Sequence, residues 1–398
     1  MQERLPLLIF LMVCLMTVAY STIGIYTPAM PAIAAHFGAT AGEVQLTFSA
    51  YLIAFSFGQL IYGPLSDRHG RRLAIFVGLA IYVLGSALSA LSVSIEMLVV
   101  ARAVQALGGC AGPVLARAIM RDLFDRDEGA RMMAFVAMVM GVAPAFAPVF
   151  GGYLQVAFGW ESIFWVLTGV GALVLILFIF LLRETHAGSS RAVGGGVLAM
   201  LLVYPRLMKS RLFIGYTLNA GFAMATIFVY VASAPFVLIE LLDIPPDLYG
   251  WYTLIPTFFN LAGAFVASRY TVRMGGARMM LYGSIVVFVG AMTMVAFALV
   301  GYLSVFTVVG PMAIVAFGLA NVFPSAAQGS VNVAPRQAGA ASSLNGFLTM
   351  LIASVAVVIV GILPPGSQMP MAAVVGAMGV LTLVSLLLTR GENSAESD

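Results

Sequence analysis

The chemistry available to this chain is limited by how few charges it carries. Only 9% of its 398 residues are charged, against roughly 25% in an ordinary soluble domain. Two groups of them have spacings that could do work. The first is Gly63-Pro64-Leu65-Ser66-Asp67-Arg68-His69-Gly70-Arg71-Arg72. Here an acid precedes a tight glycine turn and two arginines, so charge-assisted hydrogen bonds can form and release at this point. The acid Asp122, next to Arg121, is a candidate partner for those arginines. The second group is Arg102-Ala-Val-Gln105-Ala-Leu-Gly108-Gly109. Arg102 and Gln105 share one helix face by their i, i+3 spacing, beside glycines that permit close helix approach. Other chemistries have no support. There is no Ser/His/Asp spacing, no phosphate-binding loop and no His/Cys/carboxylate cluster, so neither an enzyme nor a metal or cofactor site is expected. Cys14 and Cys110 lie in apolar runs and read as small core residues.

The elements that must position these groups are membrane spans. The chain is 62% apolar with a mean hydropathy of +1.05, too apolar to cover itself with polar surface, so lipid is its main solvent. Twelve apolar stretches of spanning length lie near 6–28, 43–63, 73–93, 96–117, 131–157, 161–182, 210–236, 248–268, 278–300, 303–325, 337–362 and 370–389. The run from Leu5 continues to Tyr26 without a cleavage-type site and reads as the first span, not a leader. Nineteen Lys and Arg are present, and eighteen lie at the N-terminus, in alternate loops or just after the last span. The opposite loops carry only acids, namely Glu43, Glu96, Glu161, Glu240, Asp243 and Asp247. The positive-inside rule places both termini in the cytoplasm. The pI near 8.9 therefore reflects loop arginines and not a nucleic-acid surface.

The expected organisation is a six-helix bundle over 1–182, a cytoplasmic linker over 183–209, a second six-helix bundle over 210–390 and a tail over 391–398. The halves repeat at an offset of 205, which carries Arg4 onto Lys209, Gly70 onto Gly275, Arg131 onto Arg336 and Gly141 onto Gly346. Such a duplication suits a two-bundle carrier with a site near the midplane. The second copy of the charged turn has Val272 where Asp67 stands in the first.

The stretch 63–72 resembles the signature loop of the major facilitator superfamily, G-x-L-[AS]-D-R-x-G-R-[RK], at every fixed position. The resemblance implies an all-α fold of twelve transmembrane helices in two pseudo-symmetric bundles. Asp67, Arg68, Gly70, Arg71, Arg72 and Asp122 would act as gating residues on the cytoplasmic side. Arg102 to Gly109 resembles the helix-4 motif of drug-exporting members, with Ala106 replacing a glycine. Gly141, Pro144, Pro148, Gly151 and Gly152 resemble their helix-5 antiporter motif, with Ala147 replacing another. Ser21 to Pro31, Gln59 to Pro64 and Gln105 to Gly109 together most resemble the Bcr/CflA-type exporters, which expel drugs or small metabolites in exchange for protons.

Those relatives commonly carry an acid where this chain has Gly24. On helical geometry, position 24 and Arg102 lie at similar depth, so Arg102 is expected to lack an acidic partner. Arg102 sits six residues beyond Glu96, about 9 Å in at helical rise, and an arginine there must face a cavity or a partner, or snorkel outward. Two functions follow. One is proton-coupled export of amphipathic compounds from the bacterial inner membrane by a monomer. The other is export of an anionic or zwitterionic metabolite or siderophore bound by Arg102, without a helix-1 carboxylate. Further candidate contacts for a small-molecule substrate are Tyr26, Gln105, Asn219, Tyr230, Asn260, Asn321 and Asn345, for each of which helix–helix hydrogen bonding is the competing role.

Overall fold

A computed structural model describes residues 5–123, 145–181 and 197–389. Among these, every regular element is helical. Ten helices are long and apolar enough to cross a membrane. They are α1 (Ile9–Phe37), α2 (Ala41–His69), α3 (Arg71–Ala90), α4 (Ile95–Met120), α6 (Glu161–Leu181), α7 (Arg211–Leu241), α9 (Gly276–Val300), α10 (Val305–Asn332), α11 (Ala338–Gly361) and α12 (Met369–Thr389). The shorter apolar helix Ala145–Phe158 is the described part of α5, and Pro246–Met274 is α8. The twelve expected spans are thus all represented. Their outward faces carry large apolar side chains such as Phe150, Phe180 and Phe265, which suits lipid and not water.

The boundaries depart from expectation around proline. The first span does not end near 28. After Leu5–Gly24 the chain makes a 3-10 turn, Thr27–Ala29, and resumes as Met30–Phe37. Pro28 and Pro31 each occupy the first turn of a helical piece, where a missing N–H costs nothing. Likewise α2 runs through Pro64 to His69, so most of the signature stretch is the last turns of a helix, Gly70 makes the turn, and Arg71 and Arg72 open α3. The expected linker 183–209 also ends differently, since Val197–Lys209 is helical. Its run Val197-Leu-Ala-Met-Leu-Leu-Val-Tyr204 is apolar and free of breakers.

Several loop residues turn out to be caps. Thr40 and Glu43 form a reciprocal capping box on α2. Ser94 starts α4 by accepting from the Met97 N–H, and Ser304 starts α10 in the same way from Thr307.

The helices divide into two compact units, Met1–Val197 with Pro245–Gly250, and Leu198–Ile244 with Trp251–Asp398. The internal repeat is visible in their packing. Gly70 (φ 92°, ψ 153°) and Gly275 (φ 83°, ψ 150°) make the same turn into α3 and α9, a conformation that favours glycine. In the first unit α3 packs on α4 through Gly78, Gly85 and Gly108, and in the second α9 packs on α10 through Gly283, Gly290 and Gly318. A Cβ on Gly85 would come within 2.3 Å of the Gln105 backbone nitrogen, and one on Gly108 within 2.2 Å of that of Tyr82. Backbones this close exclude any side chain.

Gly85→Val and Gly108→Val should each lower the melting temperature and folded yield in detergent. The overpacking cost is at least about 1–3 kcal/mol, the usual range for forced core insertions. Gly169→Val, where a Cβ meets nothing within 4 Å, should melt like the parent.

Candidate functional site

The expected intramembrane arginine is neither at the surface nor in an open cavity. Arg102 is fully buried in the first unit. Its guanidinium carbon lies 4.2 Å from the ring centre of Tyr26 on α1 and 4.3 Å from that of Tyr51 on α2, with Phe164 of α6 at 5.8 Å. One terminal nitrogen, Nη1, donates to Gln105 Oε1. Nε and Nη2 have no hydrogen-bond partner among the described residues.

Magnitudes decide how well this cage compensates the charge. Withdrawing a guanidinium from water costs several kcal/mol, and each buried N–H left unpaired adds about 1–3 kcal/mol. Two close cation–π contacts return about 2 kcal/mol each when desolvated. The rings offset much of the burial of the charge, but not the two idle donors. Arg102 therefore sits in a box that is complete on its faces and incomplete along one edge.

The box is fastened by a chain of neutral hydrogen bonds. Gln105 Nε2 donates to Ser86 Oγ at 2.8 Å, and Ser86 Oγ donates to the Tyr82 carbonyl. The Tyr82 and Thr22 hydroxyls share a 2.7 Å bond. Tyr51 OH donates to the Ala19 carbonyl, and Tyr26 OH pairs with Thr47 Oγ1 at 3.3 Å. Four helices, α1 to α4, thus converge on one arginine. Tyr51, Phe164, Tyr82, Thr22 and Ser86 were not singled out from the sequence, because nothing in one sequence pairs an aromatic on α2 with a cation on α4.

Gly24 has a different role from the one its depth suggested. A Cβ there would lie 3.4 Å from Pro148 Cγ and 3.8 Å from Ala147 Cβ. The position looks onto α5, where a Cβ would make ordinary contact with the Pro148 ring. The close approach of α1 and α5 depends on Gly151, where a Cβ would fall 1.7 Å from the Ile25 carbonyl oxygen. Pro148, Gly151 and Gly152 are all buried. Gly141 and Pro144 lie outside the described residues.

At the other end of these helices Arg71 is almost fully buried and bonds Asp67 on α2 and Asp122, in the helix Ala111–Leu123 that continues α4. Its Nη1 also donates to Ser66 Oγ. Arg72 donates to the Ile179 carbonyl at the end of α6, whereas Arg68 is exposed. The ion pairs seen here are internal to the first unit, fixing α2, α3 and α4 to one another.

The second unit offers neutral groups. Asn219 is a structural knot, its Nδ2 reaching Ser284 Oγ at 3.1 Å, the Thr382 carbonyl at 2.8 Å and Ser385 Oγ at 3.1 Å. It joins α7, α9 and α12, the helix-bonding role that competed with substrate contact. Asn260 donates to the Ala316 carbonyl, and Asn321 to the Phe317 carbonyl of its own helix. Tyr230 and Asn345 are buried. The Asn345 carbonyl oxygen and the Thr349 hydroxyl, one turn apart on α11, find no partner among the described residues.

The Major Facilitator Superfamily pattern matches residues 11–357. The chain belongs to this superfamily. It is 31% identical over 403 residues to the uncharacterized MFS-type transporter YdgK of Bacillus subtilis, covering 99% of this chain and 98% of that one. It is 28% identical to multidrug resistance protein D of Escherichia coli over 97% and 95% of the two chains. It is 26% identical to a bicyclomycin resistance protein homolog of Haemophilus influenzae over 93% of each. A bacterial homolog of the human lysosomal transporter Spinster superposes with a TM-score of 0.72 at 15% identity, covering 96% of this chain and 94% of that one.

As a superfamily member the chain is a multi-pass transporter of small molecules and not an enzyme. The signature stretch then has a physical account beyond its basic charge. Asp67 and Asp122 neutralise an arginine that the fold buries, and Gly70 makes the turn that presents it. Arg71→Ala should destabilise the protein by about 1.5–3 kcal/mol, the scale of charged hydrogen bonds lost to carboxylates that are themselves partly exposed. Arg68→Ala should stay within about 0.5 kcal/mol, as at most surface sites. Thermal unfolding in detergent measures both.

Proposed function

We propose that the chain is a secondary active transporter of the bacterial cytoplasmic membrane that exports drugs or small amphipathic metabolites by alternating access. On this reading both termini face the cytoplasm, as the arginine distribution implies. The observation that carries it is the likeness to proteins named for multidrug and bicyclomycin resistance over at least 93% of both chains. The two repeats of one helical plan, seen in the matched glycine contacts of α3/α4 and α9/α10, are the architecture that alternating access requires. The Gly- and Pro-rich face of α5 against α1 agrees with the exporter motif.

Proton exchange is the driving reaction in this reading, but its carrier is not a carboxylate in the middle of a span. Every Asp and Glu among the described residues lies at a helix end or in a loop. Glu43 is a cap, Asp67 and Asp122 hold Arg71, and Glu96 and Glu240 are exposed.

The test is flux in proteoliposomes, using a neutral amphipathic antibiotic such as radiolabelled chloramphenicol, with and without an imposed pH gradient. Uphill movement that stops when the gradient is collapsed is the expected result. Movement indifferent to the gradient would remove proton coupling, and no movement of any amphipathic probe would remove export.

A further inference from the structure

The unfinished edge of Arg102 has a definite shape. A guanidinium presents two faces and a planar set of five N–H donors. The Tyr26 and Tyr51 rings lie close to its central carbon, and Gln105 Oε1 accepts a hydrogen bond from Nη1. What remains is the edge formed by Nε and Nη2, whose N–H bonds point the same way and which has no partner among the described residues. Gln105 cannot turn to cover it, because its own amide is committed to Ser86.

Two parallel N–H donors match the two oxygens of a carboxylate. Other occupants fit less well. Chloride is a single point acceptor that cannot lie along both N–H bonds. A dianion would leave a net negative charge in a box whose only formal charge among the surrounding described groups is that of Arg102. A monocarboxylate neutralises the cation and satisfies both donors at once. The apolar rings around the edge, with Phe164 at 5.8 Å, suit an organic acid with an apolar body.

We propose that the Nε/Nη2 edge of Arg102 binds the carboxylate of the transported molecule. This inference rests on the export reading and names monoanionic and zwitterionic organic acids as one class among the amphipathic substrates it covers. In this conformation the edge is closed off, so the acid enters when the first unit opens towards one side during the transport cycle.

The experiment compares matched acids and amides of graded size, so that fit is not confounded with charge. Formate, acetate and benzoate are set against formamide, acetamide and benzamide at equal ionic strength, adjusted with sodium chloride. Thermal shifts are read on the full-length protein in detergent. At least one acid should raise the melting temperature saturably while its amide and added chloride do not. In Arg102→Lys, which keeps the charge and loses the fork, the apparent affinity should fall at least about tenfold, the scale of one charged hydrogen bond. The same acid, at clamped pH, should slow chloramphenicol efflux by the wild type.

No acid outperforming its amide, or chloride matching the acids, would overturn the proposal on the wild-type protein alone, even if the lysine variant fails to fold. An acid effect undiminished in Arg102→Lys would also overturn it. Binding that leaves efflux unchanged would make the edge a structural anion site and refute its role in transport. If chloramphenicol efflux persists while the acids show no preference, only this inference falls and the export reading stands.

Discussion

One constraint organises the first bundle: an arginine must be kept in a medium that cannot hydrate it. Lipid-facing helices have no water to lend, so each donor on that guanidinium needs a protein group or a ligand. Helices α1, α2, α4 and α6 each give a side chain to the cage around Arg102, and α3 adds Ser86 behind Gln105. The bundle can make those contacts only because its helices come very close. Gly85 and Gly108 let α3 and α4 meet backbone to backbone, and Gly151 does the same for α5 against α1. Small residues and the buried charge are parts of one solution, since close approach is what excludes water from the box and strengthens the electrostatics inside it.

Arg71 meets the same difficulty in the opposite way. It lies at the start of α3 and is as buried as an interior residue, but two carboxylates and a serine hydroxyl surround it. That site is closed electrostatically, and its acids are spent in closing it. The contrast explains why the two arginines should behave so differently. One is a finished structural ion cluster. The other has its charge answered by quadrupoles, which compensate a cation but accept no hydrogen bonds along its edge. The second bundle contains neither arrangement in its described part. Its interior is fastened by amide and hydroxyl groups around Asn219, so the repeat conserves helix packing while the polar chemistry is distributed unequally.

The departure at position 24 changes meaning in this light. From depth alone it reads as a missing partner for Arg102, whereas in the fold it is a contact surface for Pro148. The stacked tyrosines are what stand against the charge. On the proposed proton-exchange reading, coupling is organised without a mid-membrane carboxylate among the described residues, and the titrating steps fall to groups at helix ends or to the substrate itself.

The sequence by itself determined the membrane class, the number of spans, the duplication and the charged turn. Each of these is written in local composition or in a fixed spacing: runs of apolar residues, arginines in alternate loops, Gly70 and Gly275 205 positions apart. It also marked Arg102 and Gln105 as sharing a face, because i, i+3 neighbours on a helix follow from the 3.6-residue repeat alone. It ended the first two spans too early, near Pro28 and Pro64, because whether a proline ends a helix depends on where the chain goes next. It could not find Tyr51, Phe164 or Ser86, nor tell that Asn219 is a knot and Gly24 a contact for Pro148. Those roles are set by which helix faces meet, and that is a property of the packed bundle and not of any stretch of chain. Only the tertiary structure decided that Arg102 is fully buried against two tyrosine rings with two of its nitrogens left without a hydrogen-bond partner among the described residues.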